Sequence, residues 1–168
     1  TDGTSEIYRI LKLDKYMTMD IIDKRIYSCN EAICKNIESL QANERGLLSQ
    51  NILSQLRNFL ECVFLKIYVA SGNSLIENEY QNIKNAIKFI NTLQGKYRFL
   101  NQFHKLLQIS VSHYTLDPDS SERLMLKYYE YLLRIKTFMK DNYGIELLEN
   151  LHKFPLNTDT AFTQYYEA

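Results

Sequence analysis

An arginine and a histidine in the second half of the chain are residue types that metal-free RNA cleavage uses. Arg98 precedes His104 with five residues between them. A guanidinium can stabilise a phosphate while an imidazole moves a proton, so Arg98 and His104 are our candidate catalytic residues. The alternative is chance spacing, because the chain holds seven Arg and three His. His104, next to Phe103, is then a histidine at the rim of the core.

A second polar group interrupts a strongly apolar stretch. It consists of Arg57, Asn58, Glu61 and Cys62, which we call the polar patch. Arg57 and Glu61 are four residues apart, so on a helix they share one face and can pair. If the patch is buried, its polar atoms need partners. The alternative is a solvated strip with an ordinary exposed ion pair, which contributes little to stability.

Composition limits the class of protein. The 168 residues suit one domain, and 20 basic side chains balance 20 acidic ones. This balance argues against a broad nucleic-acid surface, although it leaves room for a small pocket. Three cysteines without tight Cys/His spacing fit neither a disulfide framework nor a zinc site, so we expect no metal, no cofactor and a cytoplasmic location.

These residues must be positioned by helices. Apolar residues recur in steps of three and four, and Gly and Pro, which interrupt helices, number only 5 and 2. The sequence predicts an all-α, antiparallel bundle of about five main helices plus short terminal helices, in one domain over residues 1–168. The predicted helices cover residues 5–13, 18–41, 43–70, 74–93, 97–113, 117–144 and 145–152. Their start and stop signals include Thr18, Gly72, the pair Ser74 and Glu77, Asp117–Pro118 and Gly144.

The thirteen tyrosines are numerous for a chain without Trp. Tyr128, Tyr129 and Tyr131 cluster on the last long predicted helix, and Tyr165 and Tyr166 lie near the end of the sequence. Tyrosine suits half-buried surfaces and interfaces, so we expect these side chains to cover the edges of the bundle. Stacking on the bases of a single strand is the alternative.

An all-helical bundle with an Arg-x4–6-His motif resembles the HEPN superfamily of nucleotide-binding and ribonuclease domains found in bacterial defence systems. The segment from Arg57 to Cys62 is similar to that family's Arg-Asn-x-x-x-His form, with Cys62 at the histidine position. A thiol is a poor replacement for imidazole as a proton shuttle, so this form implies a domain that is not a nuclease. Arg98 and His104 keep both residue types, but Phe99 replaces the Asn.

A second resemblance concerns the stretches 47–68 and 112–138, which are similar to an accessory region that precedes the motor of some large bacterial helicases. The chain starts Thr1-Asp2-Gly3 without Met and stops at aromatic residues, which we interpret as a fragment of a longer protein. Tag remnants and trimmed ends are the alternative.

Two functions therefore remain. The first is a non-catalytic helical accessory or interaction domain of a larger bacterial protein, such as a helicase or a defence factor. Its partners would be neighbouring domains or a second copy, with no membrane. The second is a HEPN-like, metal-independent ribonuclease acting through Arg98 and His104. The two readings differ in one geometric requirement, which is that Arg98 and His104 face a common open groove or dimer seam.

Overall fold

The fold is seen in a computed structural model that describes residues 18–39, 45–112 and 127–153. The described segments contain helices and no β-strand, which confirms the all-α bundle. Two short 3-10 turns accompany five α-helices in these ranges: α1 (Met19–Ser39), α2 (Arg45–Ala70), α3 (Glu79–Thr92), the turn Gly95–Tyr97, α4 (Arg98–Ser112), α5 (Tyr129–Tyr143) and the turn Glu149–Lys153. The predicted helix at 5–13 and the predicted start at Asp117–Pro118 lie outside the described residues. None of the helices in these ranges is long and apolar enough to cross a bilayer.

Helix α2 occupies the centre of the bundle and packs against α1, α3 and α4. Six consecutive residues, 62–67, are all buried, although they point in every direction around the helix axis. Leu, Ile and Phe side chains dominate the core that surrounds this helix. A stretch of helix that is buried on all sides needs neighbours on all sides, so other helices must pack around residues 62–67.

Helices α1 and α2 run antiparallel, as the short connection between them requires. Two cross-helix hydrogen bonds establish the direction, because higher numbers on α1 meet lower numbers on α2. Lys66 donates from Nζ to Asp23 Oδ1 at 2.6 Å, and Asn36 donates to Gln55 at 2.8 Å. Cys29 and Cys62 lie between these two bonds and line one cleft.

The helix starts follow the sequence signals in one case and depart from them in another. Thr18 Oγ1 accepts from the backbone N–H of Ile21 at 3.3 Å, which confirms it as the cap of α1. The predicted capping pair Ser74 and Glu77 is wrong, since α3 begins at Glu79 with Asn78 as its cap. The reason is the buried amide of Asn82, which donates to Ile76 O and accepts from Ile76 N–H, both at 2.8 Å, and so holds the preceding loop in a non-helical path.

After α5 the chain turns back onto α1. Gly144 ends α5 in the left-handed conformation (φ 66°), as its position in the sequence predicts. The predicted helix at 145–152 forms only as the 3-10 turn Glu149–Lys153. Leu147 and Leu148 enter the core instead, and the backbone N–H of Leu148 donates to the buried Asn30 Oδ1 at 2.6 Å. Asn30 therefore ties the last described segment to α1.

We expect Asn30→Ala to lower the free energy of unfolding by about 2 kcal/mol, because it leaves the buried N–H of Leu148 without its acceptor. Urea denaturation measures this loss. Asn91→Ala, on the exposed face of α3, is the matched control and should change stability by less than about 0.5 kcal/mol. Equal effects of the two substitutions would remove Asn30 from its assigned role.

Candidate functional site

The two candidate catalytic residues lie at different places on α4. Arg98 is the first residue of the helix and is exposed, where it lines an open cleft between α4 and α5. His104 is buried, with 6% of its surface exposed, and it faces α2. Six residues correspond to about 240° around an ideal helix rather than a whole number of turns, so the two side chains point in different directions. The structure does not bring Arg98 and His104 into a common groove within one chain.

His104 has partners on α2 that account for its burial. Its Nε2 atom lies 3.4 Å from Glu61 Oε1, and its ring lies 5.2 Å from the ring of Phe64. Glu61 is thus engaged across the helix interface and not with Arg57, which corrects the expected pair within the polar patch. Arg57 precedes Glu61, which is the weaker order for a pair on a helix, and His104 offers a more buried partner.

We expect His104→Ala to lower the free energy of unfolding by about 2–3 kcal/mol, because it opens a cavity beside Phe64 and leaves Glu61 without its partner. Arg98→Ala, at an exposed position, should cost less than about 0.5 kcal/mol. Chemical denaturation of both variants measures the difference. Incubation with single-stranded RNA in the absence of metal should show no cleavage by the parent chain or by either variant. RNA cleavage that is lost in both variants would instead support a joint catalytic role.

Three members of the polar patch line a second opening in the bundle, which we call the thiol cleft. Asn58, Glu61 and Cys62 of α2 face Arg25, Ser28 and Cys29 of α1 and Glu79 of α3 across a cleft of about 290 Å³. Arg25 and Glu79 form an ion pair at its mouth. Arg57 does not line this cleft. The sequence did not identify three residues of this cleft: Arg25, Cys29 and Glu79. They lie on α1 and α3, and no local sequence pattern shows that these positions pack beside the polar patch.

The two thiols of this cleft differ in electrostatic environment. Hydrogen bonding from the Cys62 thiol lowers the pKa of Cys29 to about 7, with Arg25 adding to the effect against the opposing influence of burial. The same hydrogen bond, together with burial, raises the pKa of Cys62 far above its usual range. Cys29 is half-buried and Cys62 is buried, so the more acidic thiol is also the one nearer to solvent.

We expect the rate of Cys29 alkylation by iodoacetamide to rise with pH around a midpoint of about 7, since the thiolate is the reacting form. Tandem mass spectrometry measures this rate, because fragment ions locate the label on Cys29 or Cys34 within the tryptic peptide 26–35. Cys34 is the internal control, because burial raises the pKa of its thiol and its reaction should begin only at higher pH. Removing the donor with Cys62→Ala should shift the Cys29 midpoint upward; an unchanged midpoint would contradict the assigned cause.

The open cleft that Arg98 lines has a different character, and we call it the α4–α5 cleft. Phe99 and the buried Phe138 form its floor, and it has a volume of about 810 Å³. Lys96, Arg98 and Arg134 are exposed around it, with Leu133 and one carboxylate, Asp141. An apolar floor with a cationic rim is suited to binding a ligand that is itself both apolar and anionic.

The tyrosines that the structure describes on α5 and beside it are engaged in packing. Tyr131 stacks on Phe103 with ring centroids 4.8 Å apart, and Tyr128 is buried and donates from its hydroxyl to Leu106 O at 3.3 Å. This arrangement favours the packing interpretation of these two residues over base stacking. Tyr165 and Tyr166 lie outside the described residues.

No protein-family model, curated protein or solved structure matches this chain. Among the side chains that the structure describes, no three His, Cys, Asp or Glu residues are grouped so as to hold a metal ion. The site must therefore be interpreted from its own geometry, in which the thiol cleft and the α4–α5 cleft are two places among the described residues that are open to a ligand or reagent.

Proposed function

We propose that this chain is a non-catalytic helical accessory domain of a larger bacterial protein and that it binds an acidic, amphipathic helical segment of a neighbouring domain. The observation that carries the proposal is the α4–α5 cleft, with its apolar floor and its excess of positive charge. The parent protein's class, a helicase or a defence factor, rests on the sequence resemblance alone.

The floor of the cleft supports binding of apolar side chains. Phe99 is partly exposed and meets Phe138 edge-on, with ring centroids 6.0 Å apart, so the two rings present a continuous apolar surface. Leu133 on α5 is 41% exposed and extends this surface toward solvent. An amphipathic helix could bury its own apolar side chains there, in the manner of helix-in-groove recognition.

The rim supports the choice of an acidic partner. Three cations, Lys96, Arg98 and Arg134, face a single carboxylate, Asp141. Lys96 donates to Asn142 across the end of the cleft and lies 5.3 Å from the centroid of the Tyr97 ring, so its charge is held near the cleft. Complementary charges at a rim increase the association rate and the selectivity for a partner of opposite sign.

The burial of His104 and its contact with Glu61 favour this function over the ribonuclease, because the imidazole is committed to the core. A phosphate held by Arg98 in the α4–α5 cleft would have no imidazole beside it among the residues that line the cleft.

A synthetic helical peptide of about five turns, with Leu along one face and Glu on both flanks, provides the test. We expect it to bind with micromolar affinity, measured by fluorescence anisotropy, and to bind more weakly as salt is added. Replacing Arg98 and Arg134 together by Glu should weaken binding about tenfold, or about 1.4 kcal/mol, because two attractions become repulsions.

The matched control replaces Lys88 and Lys105 together by Glu, since both are exposed, lie outside the cleft and give the same change in net charge. A peptide of the same composition in scrambled order controls for charge alone. Equal weakening by the two double variants, or preference for a single-stranded oligonucleotide over the peptide, would exclude the proposed partner. A second copy of the chain as occupant would be seen as dimerisation that the Arg98/Arg134 variant abolishes.

A further inference from the structure

The thiol cleft holds a pair of cysteines that the proposed function does not use. Cys29 on α1 and Cys62 on α2 line the same cleft, at facing positions between the cross-helix hydrogen bonds Lys66–Asp23 and Asn36–Gln55. Cysteines 33 positions apart in sequence meet only because the two helices pack in this register. Cys34, the third cysteine, lies elsewhere on α1, where its sulfur contacts Asn30 at 3.7 Å and Glu149 at 3.5 Å.

From this placement we infer that Cys29 and Cys62 form a peroxide-sensitive dithiol site that closes to an intramolecular disulfide between α1 and α2. The site is independent of the α4–α5 cleft and of any partner bound there. It takes a hydroperoxide as its reagent, and the thiol cleft of about 290 Å³ gives a small molecule access to the Cys29 sulfur.

The reaction proceeds in two balanced steps. The Cys29 thiolate attacks one oxygen of hydrogen peroxide, the O–O bond breaks, and Cys29 becomes a sulfenic acid while the departing oxygen leaves as water after taking up a proton. The Cys62 sulfur then attacks the Cys29 sulfur, the S–OH bond breaks, and a second water leaves with the thiol proton. In total, two thiols and one peroxide give one disulfide and two waters.

The charged groups around the cleft favour Cys29 as the attacking sulfur. Arg25 lies on the same helix, one turn before Cys29, and stabilises its thiolate. For Cys62 the interaction with Cys29 and burial raise the pKa most, and the opposing effect of Arg25 is countered by Glu61 on α2. Glu79 on α3 is the remaining charged group in the cleft, and its ion pair with Arg25 holds both side chains at the mouth. Cys62 is 8% exposed, so peroxide in solvent reaches Cys29 first.

The placement of both cysteines in one cleft also favours the second step. A sulfenic acid formed on Cys29 has a thiol already beside it, so closure needs only a short movement of two side chains on adjacent helices. Cys34 has a carboxylate and an amide beside its sulfur, and no second thiol among its described contacts. The chain thus carries its own, less reactive reference cysteine.

The experiment treats the folded chain with hydrogen peroxide, then unfolds it, blocks the remaining thiols with N-ethylmaleimide and digests it with trypsin. Cys29 and Cys34 fall in the same tryptic peptide, residues 26–35, and Cys62 falls in residues 58–66. A Cys34→Ser variant therefore makes the assignment unambiguous. We expect the two peptides to appear linked, two hydrogens lighter than their sum, and to separate on addition of a reductant.

Two further variants separate the steps. In the Cys34→Ser background, Cys62→Ser should leave Cys29 as a sulfenic acid that dimedone traps, whereas Cys29→Ser should leave Cys62 as a free thiol. The unsubstituted chain gives an answer that depends on no substitution, because Cys29 should lose its free thiol about tenfold faster than Cys34. Unfolding the chain in urea before oxidation should abolish this selectivity.

Three results would overturn the inference. These are retention of both thiols in the folded chain, a link to Cys34 in place of Cys62, and disulfides between two chains. Circular dichroism before and after oxidation establishes that the folded state was the one that reacted.

Discussion

The burial of residues 62–67 of α2 on every side is the constraint on which the rest of this structure depends. Residues 62–67 of this helix leave almost no surface to solvent, and the row from Ile52 to Ile67 is equally enclosed. Apolar burial drives this arrangement, but a polar side chain that is buried with it needs a partner on a neighbouring helix, because an unpaired buried group is costly. The positions of α1, α4 and α5 follow in part from those partners.

Three polar side chains in this central stretch face residues on α1 or α4. Lys66 is 7% exposed and reaches Asp23 on α1, with the ring of Tyr143 5.2 Å away. Glu61 lies within 3.4 Å of His104 on α4, and Cys62 faces Cys29 on α1 across the thiol cleft. Such pairs contribute little net stability when compared with apolar residues of the same shape, but removing one partner is costly. They act mainly by favouring one register among the many that an apolar helix would accept.

The sequence was sufficient for the class of fold and for most helix bounds, because periodicity and caps are local signals. Thr18 and Gly144 are examples: the first caps the start of α1, and the second ends α5. The sequence was insufficient for Asn82 and Asn30, whose amides bind backbone groups that no local pattern identifies as their partners.

The same limit applies to the candidate site. The polar patch was visible as an interruption, yet its partners, His104, Cys29 and Arg25, belong to other helices. The pairing of Arg98 with His104 followed from spacing, whereas their directions depend on which face of α4 meets α2.

The net charge of the sequence also differs from the local charge at the α4–α5 cleft. The 20 cations and 20 anions cancel in the sequence, and that balance speaks against a broad surface for nucleic acid. It says nothing about a region the size of one cleft, where Lys96, Arg98 and Arg134 meet only Asp141. Screening at physiological salt reduces interactions beyond about 8 Å, so a ligand in the α4–α5 cleft experiences these four groups far more than the distant remainder. A neutral protein can therefore present a cationic groove. Selectivity there is set by the local charges and by the aromatic floor beneath them.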